Sequence, residues 1–287
     1  MKANRFHLRH GEPVRQWLTR TVTGLNGAVQ KRIQRSKQAS PETIHEIRVA
    51  TKKLRALLRL LRPVISAKTF ARENTRLKTA AAGFAHVRDH QIARETLAAL
   101  IEDCDPGHGR ELLRRLKKTA APAARCSVSD LRDAGGRLEI SSRVLPVMRL
   151  AATGWEAIDP GLTETYRRCR KRLKKALGDP RAETFHQWRI PVKHLYYQLQ
   201  WLELLWPSCF TRMIKRLHKL ETMLGEDHDL SVMEGLVLPL AEGDDGSLKK
   251  AARKRSHRLR SRGGSLGKKL FHDSPGKFSK HCRHHCP

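Results

Sequence analysis

The feature that most constrains this chain is a stretch it contains twice. Residues 42–63 read ETIHEIRVATKKLRALLRLLRP, and residues 183–207 read ETFHQWRIPVKHLYYQLQWLELLWP. Laid on each other without a gap, His45 falls on His186, Arg48 on Arg189, Lys52 on Lys193, Leu54 on Leu195, Leu58 on Leu199 and Leu61 on Leu202. Apolar residues recurring at helical spacing in both copies predict two amphipathic helices in related settings.

At about 100° per residue, His45, Arg48, Lys52, Arg55, Arg59 and Arg62 gather within one sector of the first helix. Ile47, Leu54, Leu57, Leu58 and Leu61 take the opposite side. The second copy puts His186, Arg189, Lys193, Tyr196 and Gln200 against Trp188, Leu195, Leu199, Leu202 and Trp206. A solvated helix face normally mixes its signs, because like charges at i, i+4 destabilise a helix modestly. Here Arg48 and Lys52, then Arg55 and Arg59, stack cation on cation, which predicts an anionic partner.

The whole chain agrees, since 58 Lys and Arg stand against 28 Asp and Glu for a formal charge of +30 over 287 residues. That imbalance repels itself in the compact state and draws polyanions from a distance. No apolar run reaches the about 18 residues of a membrane span, and MKANRFHLRH lacks the apolar core of a signal peptide. A soluble cytoplasmic protein is expected. The six cysteines, at 104, 126, 169, 209, 282 and 286, include no CxxC pair, so reduced thiols are expected rather than a disulfide framework.

Sustained period-two alternation is absent, and the expected fold class is all-α. Glu12-Pro13, Ser40-Pro41, Asp105-Pro106, Asp159-Pro160 and Asp179-Pro180 read as helix starts, a capping side chain followed by proline at the first helical position. Expected helices run over 13–36, 42–62, 68–82, 89–102 after a kink near Gly83, and from the Gly-rich turn at 105–109 to about 125. Residues 126–136 are polar and end in two glycines, and are expected to form the seam between halves, with irregular structure and Pro146 after them. Further helices are expected over 160–177, 181–206, 209–224, 228–241 and 246–270. Pro191 is expected to bend the second copy.

Dropping one residue extends the repeat: Arg72 matches Arg212, Arg76 matches Arg216, Leu77 matches Leu217, Asp89 matches Asp229 and Ile92 matches Val232. Two long helices thus correspond in each half. This predicts two bundles related by a pseudo-twofold axis, with their cationic faces meeting across it.

The motif HxxRxxxK at 45–52 and 186–193, followed by VRDHQIA at 87–93 and EDHDLSV at 226–232, resembles the CHAD family, the conserved histidine α-helical domain. The resemblance spans about Pro13 to about Phe278. It implies two four-helix bundles in a single unit, here about 10–135 and about 155–272, with 273–287 as a flexible His/Cys-rich tail. It also implies binding of inorganic polyphosphate on a basic surface, in some cases at polyphosphate granules. Some relatives carry a triphosphate-processing domain, whereas this chain is expected to stand alone. Carried over by position, the basic motif falls on His45, Arg48, Lys52 and Arg55, and on His186, Arg189 and Lys193. Tyr196 stands in the fourth place of the second half, and His228 where the first half has Arg88.

These residue types suit a phosphate polymer. Arginine bonds two phosphate oxygens at once, lysine supplies a compact charge, and histidine gains charge on mild acidification. A rival reading makes His45 and His186 helix-packing residues. Arg72, Arg76, Arg212, Lys215 and Arg216 are expected to complete the groove, while Asp89 and Asp229 cap a helix or orient a neighbouring base. Glu226, Asp227, His228 and Asp229 crowd one turn, where adjacent positions rarely converge on a metal. The tail HCRHHC at 281–286 has soft ligands but no matching partners elsewhere. With no nucleotide cradle and no convergent acidic set, a binding protein without cofactor or metal is expected rather than an enzyme. Alternatives are a nonspecific nucleic-acid binder and a metal-dependent polyphosphate-processing enzyme.

Overall fold

A computed structural model describes residues 6–101, 106–123, 126–241 and 246–283, and among them the regular elements are all helical. The α-helices are α1 (Val14–Arg35), α2 (Pro41–Leu60), α3 (Ala67–Ala82), α4 (Ala85–Ala98), α5 (Pro106–Ala123), α6 (Val128–Val147), α7 (Asp159–Gly178), α8 (Ala182–Leu202), α9 (Pro207–Val237), α10 (Gly246–Leu270) and α11 (Pro275–Arg283). Helices α1, α2, α3 and α6 close one four-membered ring of packed neighbours, and α7, α8, α9 and α10 close another. The rings meet where α2 packs on α8, and α4 lies across α9.

The apolar stripes of the duplicated segment build both cores. Ile47, Leu54, Leu57, Trp188, Leu195 and Leu199 are all fully buried. At the seam the Gln198 amide donates to the Ala56 carbonyl at 3.0 Å, and Trp17 meets Trp201 edge to face at 6.0 Å. Gly161 is where α7 comes against the end of α2: a Cβ there would stand 1.8 Å from the Leu60 carbonyl oxygen. The first half therefore touches the second through backbone as well as side chains.

Ser40 caps α2 as expected, accepting the Thr43 amide at 3.3 Å. Asp159 opens α7, but its carboxylate accepts from Ser279 and Arg283 of α11 instead of capping. Three expectations fail. Residues 128–147 form one helix rather than an irregular seam, because Ser127 and Asp130 make a reciprocal capping box and Gly135 fits against Ile33. In the second half a single helix, α9, replaces the two expected over 209–224 and 228–241, although the first half does break, at Gly83 and Phe84. Residues 275–283 are not a loose tail but a helix packed on α7, with Phe278 stacked on Tyr166 at 4.1 Å and Cys282 buried. Pro191 lies inside α8, and the helix continues on both sides of it. Asp105, Cys104 and residues 284–287 lie outside the described residues.

Candidate functional site: a cationic cluster between the halves

The polar faces of α2 and α8 come together at the contact between the rings, and α4 closes over them. Arg48 and Lys52 from α2, Arg88 from α4, and Arg189 and Lys193 from α8 repel one another there. Lys52 makes no hydrogen bond or close ion pair among the described residues. Burial lowers its pKa most, followed by repulsion from Lys193, Arg48, Arg88 and Arg189, and together they bring it to about 7. Arg48 is lowered by burial and by Arg88, and its guanidinium reaches only the Ala81 carbonyl, at 3.5 Å. The buried Nε atoms of Arg48 and Arg189 have no hydrogen-bond partner among the described residues.

The two halves are not equivalent. Under the repeat, Ala81 of α3 corresponds to Glu221 of α9. Glu221 lies 2.5 Å from Lys193 Nζ and 3.5 Å from Arg189. Burial pushes its carboxyl up, but Lys193, Arg189 and Lys52 outweigh that and hold it below the ordinary value. The second half thus carries its own counter-anion, where the first offers a backbone carbonyl. Gly225, one turn further along α9, leaves room for the Arg189 guanidinium, which passes 3.5 Å from where a Cβ would be.

Histidines rim the cluster. Burial and neighbouring cations lower His45 and His186 below 6.5. His228 lies against His186, ring centroids 4.2 Å apart and tilted by 38°, and its pKa is brought down to about 4 by burial, His186 and Arg189. Burial raises the Asp229 carboxyl against the pull of Arg189 and Arg88. A cavity of about 390 Å³ opens beside His45, Arg48 and Arg88.

The structure therefore gathers His45, Arg48, Lys52, His186, Arg189 and Lys193, with Asp89 and Asp229 beside them. Arg55 lies further along α2, bonded to Asn74 at 3.3 Å. There it joins Arg59 and Arg168 around His194, whose pKa burial and those arginines force well down. Arg72 and Arg76 are not part of the cluster. Both pair with the fully buried Glu73, which also accepts from Ser141 of α6 at 3.0 Å. Arg48 and Arg55 meet α3 at Ala81 and Asn74, seven residues apart on one face. Arg72 and Arg76 are each two residues from Asn74, about 200° around the helix. Arg212, Lys215 and Arg216 are exposed and stand at least about 120° around α9 from Glu221. Sequence reasoning left out Arg88 and Glu221. The repeat had flagged Arg88 as the counterpart of His228, but one acid among many cations carries no motif.

The acidic turn of α9 splits by direction. Asp227 turns to α10, bonding Arg260 at 2.9 Å and Ser256 at 2.5 Å, whereas His228 and Asp229 face the cluster. Among the described residues no three His, Cys, Asp or Glu are grouped to hold a metal, and no helix is long and apolar enough to cross a membrane.

Comparison with known proteins gives one consistent answer. No curated protein matches the chain. The crystal structure of the CHAD domain from the plant Ricinus communis superposes with a TM-score of 0.62 over 95% of this chain and 96% of that one, at 19% identity, and so shares the all-α fold. The CHAD domain family model matches residues 24–238, three quarters of the sequence and both HxxRxxxK helices. The chain belongs to the CHAD domain family.

Proposed function

We propose that this chain binds inorganic polyphosphate, without turning it over, across the cluster formed by α2, α4 and α8. The observation that carries the reading is the convergence of Arg48, Lys52, Arg88, Arg189 and Lys193 on one volume, with Glu221 their one closely bonded carboxylate among the described residues. Holding five cations together costs self-repulsion, which a linear polyanion relieves by bringing about one charge per phosphate. The CHAD domain family is associated with polyphosphate binding, which supports the same ligand. From His45 to Arg59 the basic face of α2 extends about 21 Å, long enough to follow several phosphates.

Nucleic acid is the weaker reading. Single-strand binders stack bases on exposed aromatics, whereas Trp17, Trp188, Phe84 and Phe210 are fully buried here. Competition at about 150 mM salt decides between them. Long-chain polyphosphate is expected to displace duplex DNA and single-stranded RNA at matched phosphate concentration, with orthophosphate ineffective. Equal displacement by DNA overturns the specificity. Shortening of the polymer on incubation with Mg²⁺ or Mn²⁺ overturns the non-catalytic role. A cytoplasmic position at polyphosphate granules goes with this reading, and a fluorescent fusion that ignores the granules counts against it.

A further inference from the structure

The basic face of α2 does not end at the cluster. Arg48, Lys52, Arg55 and Arg59 lie within about 60° of one another around the helix. The arginines of this face meet α3 in order. Arg48 reaches the Ala81 carbonyl at 3.5 Å and Arg55 the Asn74 side chain at 3.3 Å, while Arg59 and Arg62 lie over the Phe70 ring at 5.7 and 4.8 Å. Helix α3 therefore runs antiparallel beside α2, and the two frame a continuous cationic row that leads from the cluster toward α7.

The far end of that row is built differently from a solvated face. Arg55, Arg59 and Arg168 of α7 converge there on His194 of α8. Among the described residues none of the three is bonded to a carboxylate: Arg55 has the Asn74 oxygen, and Arg168 makes no hydrogen bond or ion pair. The adjacent Arg167, exposed on α7, is by contrast paired with Glu164. Packing on Phe70 supports the Arg59 guanidinium, yet its buried Nε has no hydrogen-bond partner among the described residues, a costly state for a donor. Burial, then repulsion from Arg168, Arg55 and Arg62, brings Arg59 from 12.5 to about 10. Burial and the same neighbours keep His194 neutral, so its ring offers one N–H donor beside the three cations.

Planar guanidinium forks from two helices and an imidazole donor suit the several oxygens of a phosphate group. The unbroken row along α2 identifies which phosphate. We propose that Arg55, Arg59, Arg168 and His194 form a second phosphate subsite, so that one polyphosphate chain is held at the cluster, follows α2 and α3, and is held again at α7. This rests on the reading of the cluster as a polyphosphate site. The second half has no equivalent, because Tyr196 and Gln200 stand where Arg55 and Arg59 do and bond each other at 3.0 Å. The track therefore leaves the cluster along α2 and not along α8. Arg48 and Arg59 are about 16 Å apart along the axis of α2. Tripolyphosphate is too short to span both subsites, whereas a long chain reaches the second one as an intramolecular step and gains avidity.

Calorimetric titration of the whole chain with tripolyphosphate at about 50 mM salt is expected to give two sites per chain. Arg59→Ala with Arg168→Ala is expected to leave one, and Arg48→Ala with Arg189→Ala to leave the other. Toward long-chain polyphosphate the Arg59, Arg168 variant is expected to bind about tenfold more weakly than the parent, with a salt slope shallower by about two. Arg212→Ala with Lys215→Ala, which removes two exposed cations of α9, controls for lost charge and is expected to keep both sites. Arg168→Ala alone removes a half-buried side chain without a bond, and circular dichroism melts check folding throughout. A parent that takes one tripolyphosphate, lost in the Arg48, Arg189 variant and kept in the Arg59, Arg168 variant, overturns the second subsite and leaves the proposed function standing. An Arg59, Arg168 variant that binds the long polymer as tightly as the Arg212, Lys215 control overturns the track. A parent that binds neither tripolyphosphate nor the long polymer overturns both readings.

Discussion

Lys52 stands half-buried among Lys193, Arg48, Arg88 and Arg189, and its pKa falls from 10.5 to about 7. Between those two values the unfolded chain holds the proton and the folded chain does not, so stability contributed by this residue rises with pH from about 7 upward. Below about 7 the folded state bears the whole repulsion. Lys52→Met is therefore expected to be more stable than the parent at pH 6 by about 2 kcal/mol, after discounting for solvent screening, with the difference shrinking toward pH 10. Urea melts at the two pH values measure it, and a constant difference removes the repulsion from the account. A bound polyanion reverses the sign for affinity, since it favours protonated Lys52, His45 and His186. Polyphosphate binding is expected to take up protons and to weaken as pH rises from 6 to 9, which calorimetry in buffers of different ionisation enthalpy detects. Glu221 offers the sharper test, because it neutralises Lys193 and Arg189 at 2.5 and 3.5 Å. Glu221→Gln is expected to lower the melting temperature of the free protein yet tighten polyphosphate binding severalfold, with the salt slope steeper by about one unit. A variant that loses both stability and affinity would make Glu221 a scaffold for the ligand-binding arginine instead of its competitor.

At the scale of helices, the duplicated pattern in 42–63 and 183–207 was enough to identify α2 and α8, their buried stripes and the cationic faces they bring together. That pattern is strong because each helix must bury one face and shield the other. The arginines of α3 and α9 fall outside the cluster for the converse reason. Arg72 and Arg76 match Arg212 and Arg216 across the repeat, but matching positions share a helix face without that face being the one turned to the cluster. The first pair is claimed by Glu73, which no motif marks. Two glycines at 135 and 136 suggested a break, yet only packing distinguishes them. Gly135 touches Ile33, while Gly136 has open space around it. Gly136→Ala is accordingly expected to stabilise the protein by about 0.5–1 kcal/mol through helix propensity alone. Gly161→Ala places a methyl 1.8 Å from the Leu60 carbonyl oxygen, a backbone atom that no rotamer change can move. It is expected to cost about 3 kcal/mol or more, read by denaturant unfolding. Equal effects at the two positions would mean that α7 does not press on the end of α2.

For the molecule as a whole, a formal charge of +30 and a cationic cluster at the contact between the rings put electrostatic strain at the seam that joins the halves. Salt and ligand relieve that strain by different routes, and their combination separates them. In the free protein, raising salt from about 50 to about 500 mM screens the repulsion, so the melting temperature is expected to rise. Saturating polyphosphate stabilises the folded state by mass action, about 2.7 kcal/mol at a hundredfold excess over Kd. Salt weakens that binding by restoring the counterions it had released, so in the presence of polyphosphate the melting temperature is expected to fall as salt rises, until the two curves meet. Arg48→Ala with Arg189→Ala removes one cation from each half of the cluster. Its free form is expected to melt higher than the parent at low salt and to respond less to added salt, while most of the gain from polyphosphate disappears. A parent protein whose melting temperature falls with salt in the absence of ligand would show that the net charge is balanced locally. The cluster would then not be the strained element that a polyphosphate chain relaxes.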